Sequence, residues 1–410
     1  MFLCIVESGL QHNNLGLTVG TFEFRHVCKH WNNVAVEFPQ LWVRWAARAV
    51  RAWPLFNTRS KGAPIFITWR PYHIPAAGPD ALVDPTIPGR IQQLDFSGTS
   101  EQLERLFGAF NSSPPSNALS IQVHVTLPLI SQATIQDTQE HLARFLSSSF
   151  PKLSKLDIYN YQPDSSSSVF TTSNLISLRL SFPHTTRPRY TLAQLSQIIR
   201  KHPNLRELEL KDGAMPQVES PGALVPFTLP QLADLELRGT AESILGLVNL
   251  IGTSSPLQNV SFHFCSNRDQ NIPGFVDAVK KILAAYYECE GLDHPRKANR
   301  LIVSEDDGGP LYFVARSCSA PTSTPQPTLE LQFSRASELL RIFPLFPLKD
   351  VREFTIEGVA LSSKGYDTIL RKVKGVSQLH LSKLDIAPVL EALDPRNRGA
   401  LTGAAEIYVE

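Results

Sequence analysis

Apolar residues recur along this chain in short segments, at offsets 0, +3 and +5 from the first. The clear copies begin at Leu153, Leu175, Leu205, Leu232, Leu257, Val351 and Val376, and weaker ones at Ile91, Leu119, Ala298, Leu329 and Ala405. In a helix, a residue five places on would have rotated by about 140° off the apolar side. In a strand, +3 and +5 share a face, so each copy predicts a short strand with the first residue in the bend that enters it. Pro151, Pro203, Pro230 and Pro256 stand just ahead of four copies, where they would stop a preceding helix. Between copies the period changes to that of a helix. Leu103, Leu106, Phe107 and Phe110 share one helical side, and Thr99 with Gln102 and Thr191 with Gln194 read as capping boxes. Residues 243–251 and 275–287 have the same character.

The repeating unit is therefore strand, loop, helix, return. Such a unit leaves a strand edge and an apolar face open, so neighbours must stack. Successive copies lie roughly 22–41 residues apart, which overlaps the period of leucine-rich repeats. The positions between the strand leucines are polar, which leaves one sheet face wet. A doubly wound sheet, covered on both faces, would have near-continuous apolar strands instead. The expected fold is α/β: an irregular leucine-rich-repeat solenoid, an open horseshoe over residues 90–410. Its wet face offers Asp157, Tyr159, Arg179, Glu207, Glu209, Lys211, Asp234, Glu236, Arg238, His263, Thr355 and His380 to a protein substrate. Their charges alternate in sign and name no partner class. The rhythm breaks near 286–328, where Asp307-Gly308-Gly309 separates two strand-like runs as in a hairpin insertion and residues 317–328 read as an exposed loop.

The N-terminal part differs. All five tryptophans, Trp31, Trp42, Trp45, Trp53 and Trp69, lie between residues 31 and 69, and a proline-rich connector follows over 71–89. Residues 24–45 place Val27, Cys28 and Trp31, then Val34 and Ala35, on one helical face, which Pro39 ends ahead of Leu41 and Trp42. This arrangement resembles the latter half of an F-box. "RSKGAPIFITW" at 59–69 resembles the segment that follows the box in large fungal families of F-box proteins with irregular leucine-rich repeats. The usual Leu-Pro-x-Glu opening has no counterpart, so residues 1–70 resemble a short α-helical region with an incomplete or degenerate box. The resemblance implies a substrate-recognition subunit of an SCF-type cullin–RING ubiquitin ligase. In that role Val27, Cys28, Trp31, Pro39, Leu41 and Trp42 would be box residues that pack the box or touch the Skp-type adaptor. The alternative is a leucine-rich-repeat interaction scaffold that no longer binds the adaptor, its tryptophans forming a cap that seals the first repeat.

Composition narrows the function classes. Lys+Arg at 39 against Asp+Glu at 38 gives none of the basic excess of a nucleic-acid binder. Five widely spaced cysteines, with no Cys-x-x-Cys pair, argue against a disulfide framework or a zinc site. His26 and His30 flank Cys28 at helical spacing, but Val27 stands where a zinc-protease motif needs Glu. No nucleophile elbow, Walker loop or dinucleotide fingerprint occurs. Arg44, Arg48, Arg51, Arg59, Lys61 and Arg70 form a basic stretch without acidic residues, read as a solvated helix face. The start lacks the form of a signal peptide, and no apolar run has the length of a membrane span. The expectation is thus a non-enzymatic cytoplasmic or nuclear protein without cofactor, metal, nucleic acid or membrane. Its partners would be a Skp-type adaptor with its cullin complex and an unknown protein substrate, and it would be monomeric outside that complex.

Overall fold

A computed structural model describes residues 29–46, 52–70, 86–110, 113–126, 140–172, 174–182, 190–216, 224–252, 257–264, 276, 279–280, 283, 300–305, 311–316, 328–333, 336–346, 348–373, 375–393 and 406–409. They fall into two compact units, Met1–Phe182 and Pro183–Glu410.

The described part of the first unit opens with α1 (Lys29–Glu37). Phe38 is extended and Pro39 opens a single 3-10 turn, Pro39–Trp42, so the proline ends the helix as its missing N–H requires. Then follow β1 (Arg44–Ala46), α2 (Trp53–Arg59), β2 (Ile65–Trp69), β3 (Ile91–Thr99), α3 (Ser100–Phe110), β4 (Ser120–Thr126), α4 (Glu140–Leu146), β5 (Lys155–Tyr159) and β6 (Ser177–Phe182). The strands lie side by side in chain order and run parallel. Residues 1–70 are thus not wholly helical. Ile65-Phe66-Ile67-Thr68-Trp69 alternates β-branched and aromatic residues, and as β2 it pairs with β3, so the sheet starts well before residue 90. The predicted connector at 71–85 lies outside the described residues.

Register explains why these strands stack. Trp45, Ile67, Leu94, Ile121, Leu156 and Leu178 form one row across the sheet, and Trp69, Phe96, Val123, Ile158 and Leu180 a second. All are buried. The predicted stripe of α3 packs on these rows: Phe96 meets Phe107 edge-on at 5.3 Å, and Phe107 meets Phe145 of α4 at 4.6 Å. At the β1 end the rows close against aromatics. Trp45 lies 5.4 Å from Trp53, Trp53 5.8 Å from Trp69, and Trp42 5.7 Å from Phe56. The indole N–H groups of Trp45 and Trp53 donate to the carbonyls of Trp42 and Ala46, which satisfies their polar ends inside the cap.

The second unit contains α5 (Leu192–Arg200), β7 (Glu207–Asp212), β8 (Phe227–Thr228), β9 (Asp234–Gly239), α6 (Ala241–Leu250), β10 (Ile251–Gly252), β11 (Asn259–Phe264), β12 (Arg300–Glu305), β13 (Leu311–Arg316), β14 (Thr328–Phe333), α7 (Ala336–Ile342), β15 (Glu353–Glu357), α8 (Ser363–Leu370), β16 (Gln378–Ser382), α9 (Ile386–Leu393) and β17 (Glu406–Val409). Val276, Val279, Lys280 and Leu283 are also helical. The main sheet is open, in the order β7-β9-β11-β14-β13-β12-β15-β16-β17; β8 and β10 form a separate parallel pair. The hairpin predicted near 300–316 exists, but β12, β13 and β14 are full members of the sheet. Only β13 runs against its neighbours. The sheet accepts it because Phe313 falls in register with Leu331 and Ala315 with Leu329, which continues both apolar rows. Thr328, read as the end of a loop, opens β14; residues 317–327 lie outside the described set.

The capping boxes are present. Thr99 and Gln102 exchange backbone-to-side-chain bonds at 3.0 and 3.4 Å, and Thr191 and Gln194 at 3.0 and 3.1 Å. A further device repeats at the strand ends. Asn160, Asp212, Gly358 and Lys383 all have φ between 53 and 67°, and each stands seven residues after the first apolar residue of its copy. A left-handed residue there turns the chain off the sheet. Asn160 also donates from Nδ2 to the carbonyl of Val125 on β4 at 2.9 Å.

Leu208 is 1 % exposed and lies between Leu205 and Leu210 in its copy. Leu208→Ala is expected to cost roughly 2–5 kcal/mol in denaturant unfolding, through lost apolar burial and a cavity that the stacked rows cannot refill. A change near zero would show that the register is wrong.

Candidate functional site

Alternation places the charged residues of the repeats opposite the apolar rows. In β7, Leu208 and Leu210 face the core while Glu207, Glu209 and Lys211 face away. Parallel pairing then sets like beside like. Glu207 is in register with Asp234, Glu209 with Glu236, Lys211 with Arg238, and Arg238 with His263. Neighbouring strands stand about 4.8 Å apart, so these rows would repel. Diagonal contacts resolve the conflict. Lys211 Nζ lies 2.7 Å from both Glu209 Oε1 and Glu236 Oε1, which bridges the acidic pair. Arg238 Nε lies 3.1 Å from Asp212 Oδ1 on the left-handed turn that ends β7. Asn259 donates to Asp234 across β9 and β11.

These contacts set the charge states. Burial alone would lower the Lys211 ammonium, but the hydrogen bonds and charges of Glu209 and Glu236 outweigh it and hold Lys211 above its ordinary value. Burial, then the charges of Lys211 and Arg238, lower His263 to about 4 against the weaker pull of Asp212 and Glu209. The imidazole is therefore neutral at pH 7. Its Nε2 meets Ser261 Oγ at 2.9 Å, and its 3.6 Å approach to Glu236 is not an ion pair at that pH. The cluster on β7, β9 and β11 is thus a dense mesh in which the acidic and basic side chains already engage one another, with the Arg238 side chain 49 % exposed at its rim.

The other predicted surface residues are spread more widely. In the first unit Asp157 is in register with Arg179, and the His124 and Tyr159 rings lie 5.7 Å apart. Thr355 and His380 are in register with each other. Three strands separate β15 from β11, so Thr355 stands roughly 19 Å from the charged mesh. The structure corrects two positions on this surface. Asp157 is 3 % exposed and Glu209 9 %, so neither is open to solvent although both alternate with the core-facing residues. Both serve the sheet face before any partner. Sequence reasoning missed Asp95, also on the outward face, whose Oδ2 accepts from Arg70 at 2.7 Å. Its place between Leu94 and Phe96 was the available signal.

Of the box residues, Val27 and Cys28 lie outside the described set, Trp31 is in α1, and Pro39 and Leu41 are half-buried. Trp42 is 1 % exposed, with Phe56 beside it and the Arg59 guanidinium 4.8 Å above its ring. The basic stretch is not one helix face. Arg44, on β1, lies over the Phe66 ring, and Arg70, just past β2, pairs with Asp95 on β3; Arg48 and Arg51 are outside the described residues. Among the described residues no group of three or more His, Cys, Asp or Glu side chains could hold a metal ion, and no helix is long and apolar enough to cross a membrane.

No protein-family model and no curated protein sequence matches this chain. A solved structure, the leucine-rich repeat-containing protein LegL7 from Legionella pneumophila, aligns with 89% of this chain and 90% of its own, at 11% identity and a TM-score of 0.30. A likeness at that level carries no argument about function.

His263 gives a direct check on the mesh. Its ring resonances are expected to titrate by NMR with a midpoint of about 4, against an ordinary value of 6.5. The unfolded chain takes up this proton before the folded one, so the His263 contribution to stability is present above pH 6.5 and is lost as pH falls toward 4. His263→Gln should remove that part of the acid slope. An unshifted midpoint would mean that the histidine is not enclosed by the mesh.

Proposed function

We propose that this chain is a non-enzymatic, irregular leucine-rich-repeat protein that binds another protein on the polar face of β7, β9 and β11. One observation carries the reading: charged side chains of β7 and β9 and polar ones of β11 lie in register on three adjacent strands whose opposite rows are buried. Such a face is rigid before binding, so little side-chain freedom is lost when a partner docks, and specificity follows from matching fixed charges. The rows hold stacked leucines rather than a cleft, which suits recognition of a surface.

The finer proposal is that the bound protein is a ubiquitination substrate and that the N-terminal segment joins the chain to a Skp-type adaptor and its cullin complex. The chain would then work by proximity, holding a target lysine near the ubiquitin carrier. The F-box resemblance of residues 25–42 supports this, and so does Phe38, an aromatic 38 % exposed beside the Pro39 turn. The cytoplasm or nucleus is the compartment that such a role requires. Trp42 is enclosed by the aromatic cap, so its part would be to hold that turn in place.

Two measurements test these readings separately. Partners recovered by proximity labelling of the full chain should be lost on Arg238→Glu or Glu236→Arg with folding intact by circular dichroism; an unchanged partner list would remove the polar face from binding. A pulldown with a purified Skp-type adaptor should succeed and weaken severalfold on Phe38→Ala. Failure to bind would leave an interaction scaffold with no ligase role.

A further inference from the structure

The polar face of β7, β9 and β11 is acidic. Its outward positions hold the carboxylates of Glu207, Glu209, Asp234 and Glu236, with Asp212 beside them on the turn that ends β7. Two cations, Lys211 and Arg238, share the face. His263 adds no charge at pH 7, because burial holds it neutral. Asn259 and Ser261 complete the outward side of β11, and no outward residue of the three strands is apolar. The chain as a whole is nearly balanced at +1, so carboxylates are concentrated here.

Both cations are engaged within the mesh. Lys211 Nζ reaches Glu209 and Glu236 at 2.7 Å, and Arg238 Nε reaches Asp212 at 3.1 Å. Glu207 and Asp234 lie in register on the row nearest the strand starts. There the neutral amide of Asn259 donates to Asp234 at 2.5 Å. The preceding cation in the chain, Arg206, turns its Nε to Gln231 at 3.5 Å. An ionised carboxylate has about four acceptor sites, so these acids keep capacity whatever else they touch. A field of this sign attracts cations and repels anions. An apolar partner would strip water from the carboxylates and return no hydrogen bond. The acids are spread at strand spacing, and among the described residues no group of three or more His, Cys, Asp or Glu could hold a metal ion. The pattern suits several separate ammonium or guanidinium groups.

We propose that the protein docked on β7, β9 and β11 presents a segment rich in lysine and arginine, whose cations settle among Glu207, Asp234 and Glu236. This rests on the binding role proposed above for the same face and adds the chemistry of what it binds. Carboxylates held in fixed positions select such a segment by charge and speed its approach. Partly exposed charges are screened by ions, so affinity falls as salt rises.

Asn259 is exposed and stands beside the acids without carrying charge, so one position tests the sign. The probe is a random peptide library displayed on phage, selected on the full chain. The affinity of the selected peptides is then measured for the unmodified chain and for Asn259→Lys and Asn259→Asp, both checked for folding by circular dichroism. Each substitution loses the amide bond to Asp234, so the two differ chiefly in charge. The peptides should be rich in lysine and arginine and bind less tightly as salt rises. Asn259→Lys supplies a cation from the chain itself and should weaken them roughly fivefold, whereas Asn259→Asp should tighten them about twofold. Acidic or apolar peptides, no selected peptide, or effects of equal or reversed sign would overturn the basic partner. If Glu236→Arg still abolishes binding in that case, the face keeps its role. If Glu236→Arg also changes nothing, the face itself falls.

Discussion

Two rows of apolar side chains, carried from strand to strand in register, are the constraint on which the rest of this structure depends. In the second unit one row runs Leu208, Leu235, Val260, Leu329, Ala315, Leu301, Phe354, Leu379 and Ile407. No single strand can bury such residues. Each strand–helix unit is stable only with a neighbour against it, so folding energy resides in the stacking and not in any one unit. The same requirement explains how β13 fits while running in reverse: direction matters less than whether Phe313 and Ala315 continue the rows.

Register on the buried face dictates chemistry on the other. Because the leucines must align, the polar residues between them align too, and glutamates, lysine, arginine and histidine stand next to their own kind. Lys211 relieves this by bridging Glu209 and Glu236, and Arg238 by reaching Asp212. His263 relieves it by staying neutral. The resulting face is both crowded and fixed, which is what makes it a candidate for recognition.

The ends of the rows are treated differently. In the first unit Trp42, Trp45, Trp53, Phe56 and Trp69 close the β1 end with large side chains, and the N–H groups of Trp45 and Trp53 find carbonyls. Arg90 ties this cap to the sheet, donating to Asn57 Oδ1 at 2.6 Å and to the Ala63 carbonyl at 2.9 Å. In the second unit, by contrast, β17 presents Ile407 and Val409 to solvent.

The sequence by itself determined the faces. The 0, +3, +5 spacing marks which residues of Leu205-Arg206-Glu207-Leu208-Glu209-Leu210 face the core, and the capping boxes mark two helix starts, because both follow from local backbone periodicity. Only the tertiary structure decided which strands are neighbours and how deep each side chain sits. β1 and β2 join the sheet although their segment is rich in tryptophan and reads as helical. Asp157 is buried on the face that its polarity assigned to solvent, and burial, joined by cations on two other strands, keeps His263 neutral. These outcomes depend on residues distant in the chain that stacking brings within a few ångströms, and no local pattern records that distance.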